Sequence, residues 1–153
     1  VLIGGGYDKD SAYDEWIKVN RRPEKAKIII FDLNNLKQCN DTMGHAAGDT
    51  YIQNAAQIIL HVFGNCGNCY RIGGDEFCVV IQGNDHSDME DLFRHMRQEQ
   101  DEFNAKNAIP QIQIAYGYAE FDPETDRDIE DTRSRADDKM YQKKREIKEG
   151  LKK

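Results

Sequence analysis

The sequence predicts an α+β fold in which helices lie on one side of a mostly antiparallel sheet. Three observations favour this class. An apolar run at 28–31 without polar alternation is typical of a central strand buried on both faces. Residues 69–72 and 77–81 are typical of two strands joined by a short Gly-Gly-acid turn, as in a β-hairpin. Helical segments around these strands complete a split βαββαβ order.

The first part of the chain contains a lead-in, a helix and the central strand. Residues 1–9 are rich in glycine and predict a flexible lead-in. Aromatic and apolar residues at helical spacing predict a helix over 11–22, which Pro23 ends. The central strand follows over 26–32, so that the carboxylate of Asp32 emerges at a strand end.

The other segments around the hairpin alternate between helices and a strand. Residues 34–41 are polar and predict a short helix or turn, and 48–63 repeat apolar residues at helical spacing. The order Ser-Asp-Met-Glu at 87–90 has the form of a capping box and opens a long helix. Alternation over 111–118 predicts a strand, and the charged segment from 128 onward predicts a final helix.

Length, composition and charge limit the class of protein. The 153 residues suit one domain that spans 1–153. With 39% hydrophobic and 32% charged residues and no long apolar run, we expect a soluble domain without direct membrane contact. The net charge of −7 argues against a nucleic-acid-binding surface. Because the chain starts at Val1 and not at Met, we expect a fragment of a longer protein.

The hairpin turn carries two adjacent acids, Asp75 and Glu76, directly after Gly73 and Gly74. Glycines can take positive φ at no steric cost, which allows a very tight turn. Adjacent strand residues point to opposite faces, so the two acids are expected to have different roles. A rigid acid beside a closely approachable backbone suits a metal–phosphate site, whereas a solvated turn is the structural alternative. The turn alone does not decide between them.

Residues 71–77, Arg-Ile-Gly-Gly-Asp-Glu-Phe, resemble the signature of the GGDEF family, the diguanylate cyclases. Residues 31–49 resemble the family's first nucleotide-binding segment, with Phe-Asp-Leu-Asn-Asn-Leu-Lys followed by Asn-Asp, Gly-His and Gly-Asp at the correct spacing. Two motifs in the correct order are far more specific than either alone. The resemblance implies a ferredoxin-like core of the polymerase-palm and nucleotidyl-cyclase type.

The resemblance assigns divalent metal binding to Asp32, to the backbone carbonyl of Leu33 and to Asp75. The residue chemistry agrees, because two carboxylates and a carbonyl form a partial oxygen shell that suits Mg²⁺ or, alternatively, Mn²⁺. Catalysis is expected from Asp75, Glu76 and Asp32, with Glu76 either assisting deprotonation or holding a second metal. Considered without the motif, Asp32 at a strand end would also suit a helix N-cap.

Phosphate binding is expected at a helix start and on the last helix. By resemblance, the backbone of Asn35 and Leu36 together with Lys37 holds the β- and γ-phosphates, and free helix N–H groups suit that role. Lys144 and Lys148 fall where the family has phosphate-contacting basic residues. For the last two lysines, a solvated charged face is an equally good explanation.

Guanine recognition is assigned by resemblance to Asn40 and Asp49. An aspartate can accept from the guanine N1–H and amino groups, and an asparagine can pair with the remaining edge. Burying such groups would reject adenine, since they would be left without partners. Gly73 and Gly74 are expected to let substrate approach the backbone of the hairpin. Turn formation at Asn40 and helix capping at Asp49 are the structural alternatives.

Together these matches imply a diguanylate cyclase domain that condenses two GTP into cyclic di-GMP and pyrophosphate. One domain would hold one GTP, so catalysis needs a homodimer. The alternative is a catalytically weak or inactive GTP-binding regulatory module. The resemblance also implies an N-terminal sensor or receiver domain outside this fragment, and a cytoplasmic bacterial location, either free or as the cytoplasmic part of a membrane-anchored sensor.

Four departures from the family pattern stand out. The N-terminal Leu-Thr-Gly segment of the family is not recognisable in residues 2–9. Asn34 replaces the second acid of an Asp-x-Asp element, and Lys148 replaces an arginine and its bidentate geometry. Gly64 and Gly67 stand where an Arg-x-x-Asp product-binding site often lies, so we expect no product inhibition through that site.

The cysteines offer a third class of function. Cys66 and Cys69 have the spacing of a metal knuckle, but no second close pair completes a four-ligand zinc site. A reduced loop is therefore favoured over a zinc or redox module. Cys39 and Cys78 fall in a predicted helix and a predicted strand.

Overall fold

The computed structural model describes residues 2–3, 11–83, 88–106 and 109–152, with the backbone alone at residues 2, 3, 11, 151 and 152. The elements in chain order are β1 (Leu2–Ile3), α1 (Ser11–Val19), β2 (Ala26–Leu33), α2 (Leu36–Met43), α3 (His45–Phe63), β3 (Asn68–Arg71), β4 (Glu76–Gln82), α4 (Met89–Ala105), β5 (Ile114–Glu120) and α5 (Ile129–Lys152). This order confirms the predicted α+β class.

The sheet has the strand order β1-β3-β4-β2-β5. The strands β3, β4, β2 and β5 pair antiparallel in that spatial order. The two-residue β1 pairs parallel to β3 at the edge of the sheet. The predicted hairpin is therefore present as β3 and β4, and β2 is a central strand. At Leu2 and Ile3 the expectation of a flexible lead-in is wrong, because both pair with β3. The rest of that predicted lead-in lies outside the described residues.

Apolar side chains pack on both faces of the sheet. One face carries alternate β2 residues Ile29 and Phe31 against α2, α3 and α4, and the other carries Ile28 and Ile30 against α1 and α5. These four side chains are completely buried, as the unbroken apolar run predicts. The expectation of helices on one side is therefore wrong, since a strand buried on both faces requires a layer on each.

Several boundaries differ from the sequence expectation. Helix α3 begins at His45, earlier than residue 48, and β5 begins at Ile114, later than residue 111. The N-cap of α4 is Asp88, whose carboxylate accepts hydrogen bonds from the backbone N–H groups of Glu90 and Asp91. The predicted capping box instead placed the cap at Ser87, which lies outside the described residues.

Helix α5 crosses the sheet close to β2 and β5, and Gly117 allows this approach. A Cβ at Gly117 would overlap the backbone N of Met140 and lie 2.5 Å from the carbonyl O of Ala136. Ala136 and Met140 are buried and belong to the apolar cluster on this face of the sheet. Among the described residues, no helix has the length and apolar composition that crossing a bilayer requires.

We predict that Gly117→Ala lowers the free energy of unfolding by about 1–3 kcal/mol, because the new methyl group must push backbone atoms of α5 away from β5. Gly74→Ala is the matched control, since a Cβ there meets nothing within 4 Å. Urea denaturation of both variants measures the difference. Equal stability of the two variants would contradict close packing of α5 on β5.

Candidate functional site

The end of β2 and the tip of the β3–β4 hairpin lie against each other. Asp32 is in register with Glu76 across the β2–β4 pair, and the backbone N–H of Leu33 donates to the carbonyl O of Asp75 at 3.0 Å. Antiparallel pairing thus brings Asp32, at the end of β2, close to Asp75, just before the start of β4, although the two residues are far apart in the sequence. The predicted convergence of these two residues is present in the structure.

A cavity of about 510 Å³ opens beside these strand ends. Its walls come from the end of β2, the start of α2, the hairpin tip and the last helix. The lining residues are Leu33, Asn35, Leu36, Lys37, Gln38, Asp41, Thr42, Asp75, Lys144 and Lys148. Most residues that the sequence analysis assigned to metal and phosphate binding therefore share one cavity.

The carboxylate of Asp32 is deeply buried, with the residue only 4% exposed. Its Oδ2 accepts a hydrogen bond from Nζ of Lys144 at 3.1 Å, while Oδ1 has no partner among the described residues. Burial raises the pKa of Asp32 to about 6, opposed by the Lys144 ammonium and reinforced by the negative charges of Asp75 and Glu76. Lys144 thus contacts a predicted metal ligand directly, a contact that the sequence analysis did not foresee.

Glu76 lies half-buried beside the last helix. Burial raises the pKa of Glu76, and the nearby carboxylates of Asp137 and Asp75 raise it further. Burial likewise raises the pKa of Asp137. Acidic side chains held close together in partial burial are typical of sites that bind a cation or exchange a proton.

The hairpin turn is held by Arg71. Its Nε donates to the carbonyl O of Gly73 at 3.2 Å, and its Nη2 donates to the carbonyl O of Gly74 at 3.0 Å. Neither glycine has positive φ, so the turn does not use that conformational freedom. A Cβ at Gly74 would meet nothing within 4 Å, which leaves that side of the backbone open to a ligand.

The start of α2 faces the same cavity. Asn35 is its N-cap and has a left-handed backbone, with φ 64°, and its side chain makes no capping hydrogen bond. Lys37 is on the first turn, so its ammonium and the helix start present positive charge to the cavity. Asn34, just before the helix, is buried and does not line this cavity.

Asn40 and the start of α3 are close together. A Cβ at Gly48 would overlap Oδ1 of Asn40, so Gly48 leaves the space that the asparagine side chain occupies. Asp49 follows Gly48 on α3 and is exposed. Neither Asn40 nor Asp49 lines the 510 Å³ cavity, although Asn40 is on the helix that forms its wall.

The donor set fits a divalent ion that takes part of its shell from another molecule. Within the described ranges, no three His, Cys, Asp or Glu residues converge closely enough to hold a metal by themselves. Asp32 and Asp75 lie at adjoining strand ends, and Oδ1 of Asp32 is buried without a hydrogen-bond partner in the described part of the chain, so the two carboxylates form an incomplete oxygen shell. Mg²⁺ commonly binds in this way, through one or two carboxylates and the phosphates of a substrate.

Three residues that line the cavity, Gln38, Asp41 and Thr42, had no predicted role. The spacing of four between Lys37 and Asp41 would have indicated one helix face. Tyr51 was also missed. Its hydroxyl lies 2.8 Å from the carbonyl O of Asn34 and accepts from the backbone N–H of Gln113, which ties the end of β2 to the start of β5.

The loop before β3 carries Cys66 and Gly67, and Cys69 follows within β3. A Cβ at Gly67 would overlap the carbonyl O of Val80 on β4, so the backbone there has no room for a larger residue. Cys69 is buried in β3, and no metal-holding group of three includes the cysteines of the described segments. The prediction of a loop is therefore wrong for Cys69, which is a residue of β3.

The family model described as diguanylate cyclase, GGDEF domain, matches residues 9–149. Diguanylate cyclase DgcS of Shewanella oneidensis is 35% identical over 81 residues, which cover 53% of this chain and 27% of the relative. Diguanylate cyclase DgcP of Escherichia coli K12 is 31% identical over 126 residues, which cover 79% of this chain and 36% of the relative. The chain thus spans about a third of these relatives.

Solved structures give the same picture. The GGDEF domain of DgcB from Caulobacter crescentus, solved in complex with c-di-GMP, has a TM-score of 0.68 and 25% identity. The similarity covers 92% of this chain and 82% of that one. The predicted palm-like, nucleotidyl-cyclase type of fold is therefore confirmed.

We predict that Asp32→Asn stabilises the metal-free chain at neutral pH. The folded pKa of Asp32, about 6, exceeds its ordinary 3.8, so the native carboxylate lowers stability progressively as pH rises from 3.8 to 6. The penalty persists at higher pH, and at 1.36 kcal/mol per pKa unit it is about 1–3 kcal/mol. Below 3.8 the effect vanishes, because both folded and unfolded states are protonated.

Urea denaturation in the presence of a chelator, at about pH 4 and about pH 7, measures this effect. Asp49→Asn, which removes an exposed carboxylate from α3, is the control and is expected to change stability by less than about 0.5 kcal/mol. An Asp32→Asn variant that is less stable than the native chain at the higher pH would contradict the prediction.

Proposed function

Because the chain belongs to the diguanylate cyclase GGDEF domain family, we propose that it condenses two molecules of GTP into cyclic di-GMP. The observation that carries the proposal is one cavity bordered by Asp75, Lys37, Lys144 and Lys148, with Asp32 at the adjoining strand end. Carboxylates and ammonium groups around one cavity suit a metal–triphosphate complex, because the carboxylates bind the metal ion and the ammonium groups bind the phosphates.

The reaction joins two equivalent nucleotides. The ribose 3′-OH of one GTP attacks the α-phosphorus of the other, and the bond from that phosphorus to the bridging oxygen breaks. Pyrophosphate leaves, and a second such transfer closes the ring, so two GTP give cyclic di-GMP and two pyrophosphates. Each domain holds one GTP, so two domains must face each other as a homodimer for the two nucleotides to meet.

Asp32 and Asp75, with the carbonyl of Leu33, would hold Mg²⁺ or Mn²⁺. When bound, such an ion neutralises phosphate charge and lowers the pKa of a coordinated hydroxyl. The start of α2 and the last helix position the GTP phosphates. Lys37 and Lys148 bind the β- and γ-phosphates, and the backbone of Asn35 and Leu36 supplies N–H donors.

Proton transfer, guanine recognition and access to the hairpin backbone are assigned to other residues. Glu76 is half-buried with a raised pKa, which suits a group that accepts a proton from the attacking hydroxyl or supports a second ion. Asn40 and Asp49 bind the guanine edge, where an adenine would leave their polar groups without partners. Gly73 and Gly74 keep the hairpin backbone open to the substrate.

The domain is proposed to be the output part of a longer bacterial signalling protein, controlled by a sensor or receiver domain on its N-terminal side. GTP is a cytoplasmic nucleotide, so the cytoplasm is the proposed location of this domain. The same holds if the full protein is anchored in a membrane.

Incubating the chain at high concentration with GTP and Mg²⁺, followed by chromatography of the nucleotides, tests the proposal. We expect cyclic di-GMP and pyrophosphate, and a loss of at least about 100-fold in rate for Asp75→Ala, as for removal of a central electrostatic group. Asp138→Ala removes an acid of α5 outside the cavity and is the matched control. GTP binding without product would favour the inactive regulatory module, and no binding at all would refute both functions.

We also predict that the product does not inhibit through the segment at Gly64 and Gly67. A residue larger than glycine at 67 would overlap β4, so the side-chain geometry that an Arg-x-x-Asp site needs is unavailable to the native backbone. Initial rates measured with added cyclic di-GMP check this. Tight binding of cyclic di-GMP mapped to residues 64–67 by chemical-shift changes would contradict it.

A further inference from the structure

Lys144 and Asp32 form the contact that links the last helix to the end of the central strand. The ammonium lies 3.1 Å from Oδ2 of Asp32, and the two side chains are 24% and 6% exposed. In the described part of the chain, this is the hydrogen bond that the Asp32 side chain accepts. A buried carboxylate is thus neutralised by a lysine that lies 112 residues away in sequence.

The same lysine also faces the proposed phosphate site. Lys144 lines the 510 Å³ cavity together with Lys37 and Lys148, and Lys148 follows it by one helical turn on α5. A lysine carries its charge on a flexible four-carbon stem. Its ammonium can therefore leave Asp32 and reach an anion in the cavity without any movement of the helix.

An ammonium and a divalent ion cannot share the Asp32 carboxylate at low cost. Lys144 occupies Oδ2 and leaves Oδ1 open to the ion, but two positive charges on one partly buried carboxylate repel each other. A divalent ion that arrives alone therefore weakens the contact between Lys144 and Asp32 and brings the lysine no phosphate as a new partner. A divalent ion that arrives with a triphosphate provides Lys144 with a new partner.

We propose that Lys144 is an exchangeable counter-ion that couples metal binding to nucleotide binding. In the nucleotide-free protein it neutralises Asp32, and when metal and nucleotide bind it moves from Asp32 to the phosphates. This inference rests on the proposed function, since it assumes a triphosphate in the cavity. Coupling of this kind is reciprocal: nucleotide strengthens metal binding by the same factor by which metal strengthens nucleotide binding.

Titration of the nucleotide-free chain with Mn²⁺, followed by the electron paramagnetic resonance signal of unbound Mn²⁺, tests the exchange. The measurement is made at a pH well above the carboxylate range, so that Asp32 is ionised in every variant. Lys144→Met and Lys148→Met each remove one positive charge from the same cavity, so both strengthen Mn²⁺ binding by reducing long-range charge repulsion. Only Lys144→Met also removes the competitor from Asp32, and we expect it to bind Mn²⁺ at least about fivefold more tightly than Lys148→Met.

The nucleotide arm uses α,β-methylene GTP, which cannot lose pyrophosphate. Both methionine variants are expected to bind this analogue more weakly than the native chain. The strengthening of Mn²⁺ binding by the analogue is expected to shrink in Lys144→Met and to persist in Lys148→Met. Lys144→Arg keeps a cation on Asp32 and is expected to restore native Mn²⁺ binding, and circular dichroism verifies that each variant folds.

The outcomes separate the inference from the proposed function. Equal Mn²⁺ affinities in Lys144→Met and Lys148→Met, or weaker binding in Lys144→Met, would overturn the exchange while leaving the proposed function intact. A native chain that binds neither Mn²⁺ nor the analogue would overturn the proposed function and the inference together. Tighter Mn²⁺ binding in Lys144→Met with reduced coupling supports both.

Discussion

The site depends on the burial of a single carboxylate at the end of the central strand. Asp32 is 4% exposed, which raises its pKa and makes a cation beside it favourable. The antiparallel pair of β2 and β4 holds the hairpin acids close to this carboxylate, and their negative charges further favour binding of a cation there. In the ligand-free molecule, the ammonium of Lys144 is that cation.

Helices on both faces of the sheet hold Asp32 and the hairpin acids in position. Helices α2, α3 and α4 bury one face of β2, and α1 and α5 bury the other, so the strand end is fixed from both sides. Close packing at Gly117 brings α5 near the sheet, and the lysines of α5 consequently reach the cavity beside Asp75. The hairpin tip is held rigid by Arg71, whose guanidinium binds the two glycine carbonyls. Rigid elements that converge on one cavity are what a site for charged ligands requires.

Features with strong local signals could be predicted from the sequence, whereas side-chain contacts between the last helix and the sheet could not. The apolar run at 28–31 and the Gly-Gly-acid turn predicted β2 and the hairpin, and antiparallel pairing then brought Asp32 towards Asp75. That same apolar run implied two covering layers, but no local pattern in α1 or α5 indicates which face of the sheet each helix covers. The Lys144–Asp32 contact spans 112 residues and left no local pattern. Glycine permits positive φ without requiring it, so the backbone of Gly73 and Gly74 could not be inferred from residue type.

The most direct test of the central claim is the position of one ion. Crystals of the chain with α,β-methylene GTP and Mn²⁺ would reveal the metal through its anomalous scattering. We expect a Mn²⁺ peak about 2 Å from carboxylate oxygens of both Asp32 and Asp75, with Nζ of Lys144 moved from Asp32 to a phosphate oxygen. A Mn²⁺ held by phosphates and water alone, with Lys144 still bound to Asp32, would contradict it.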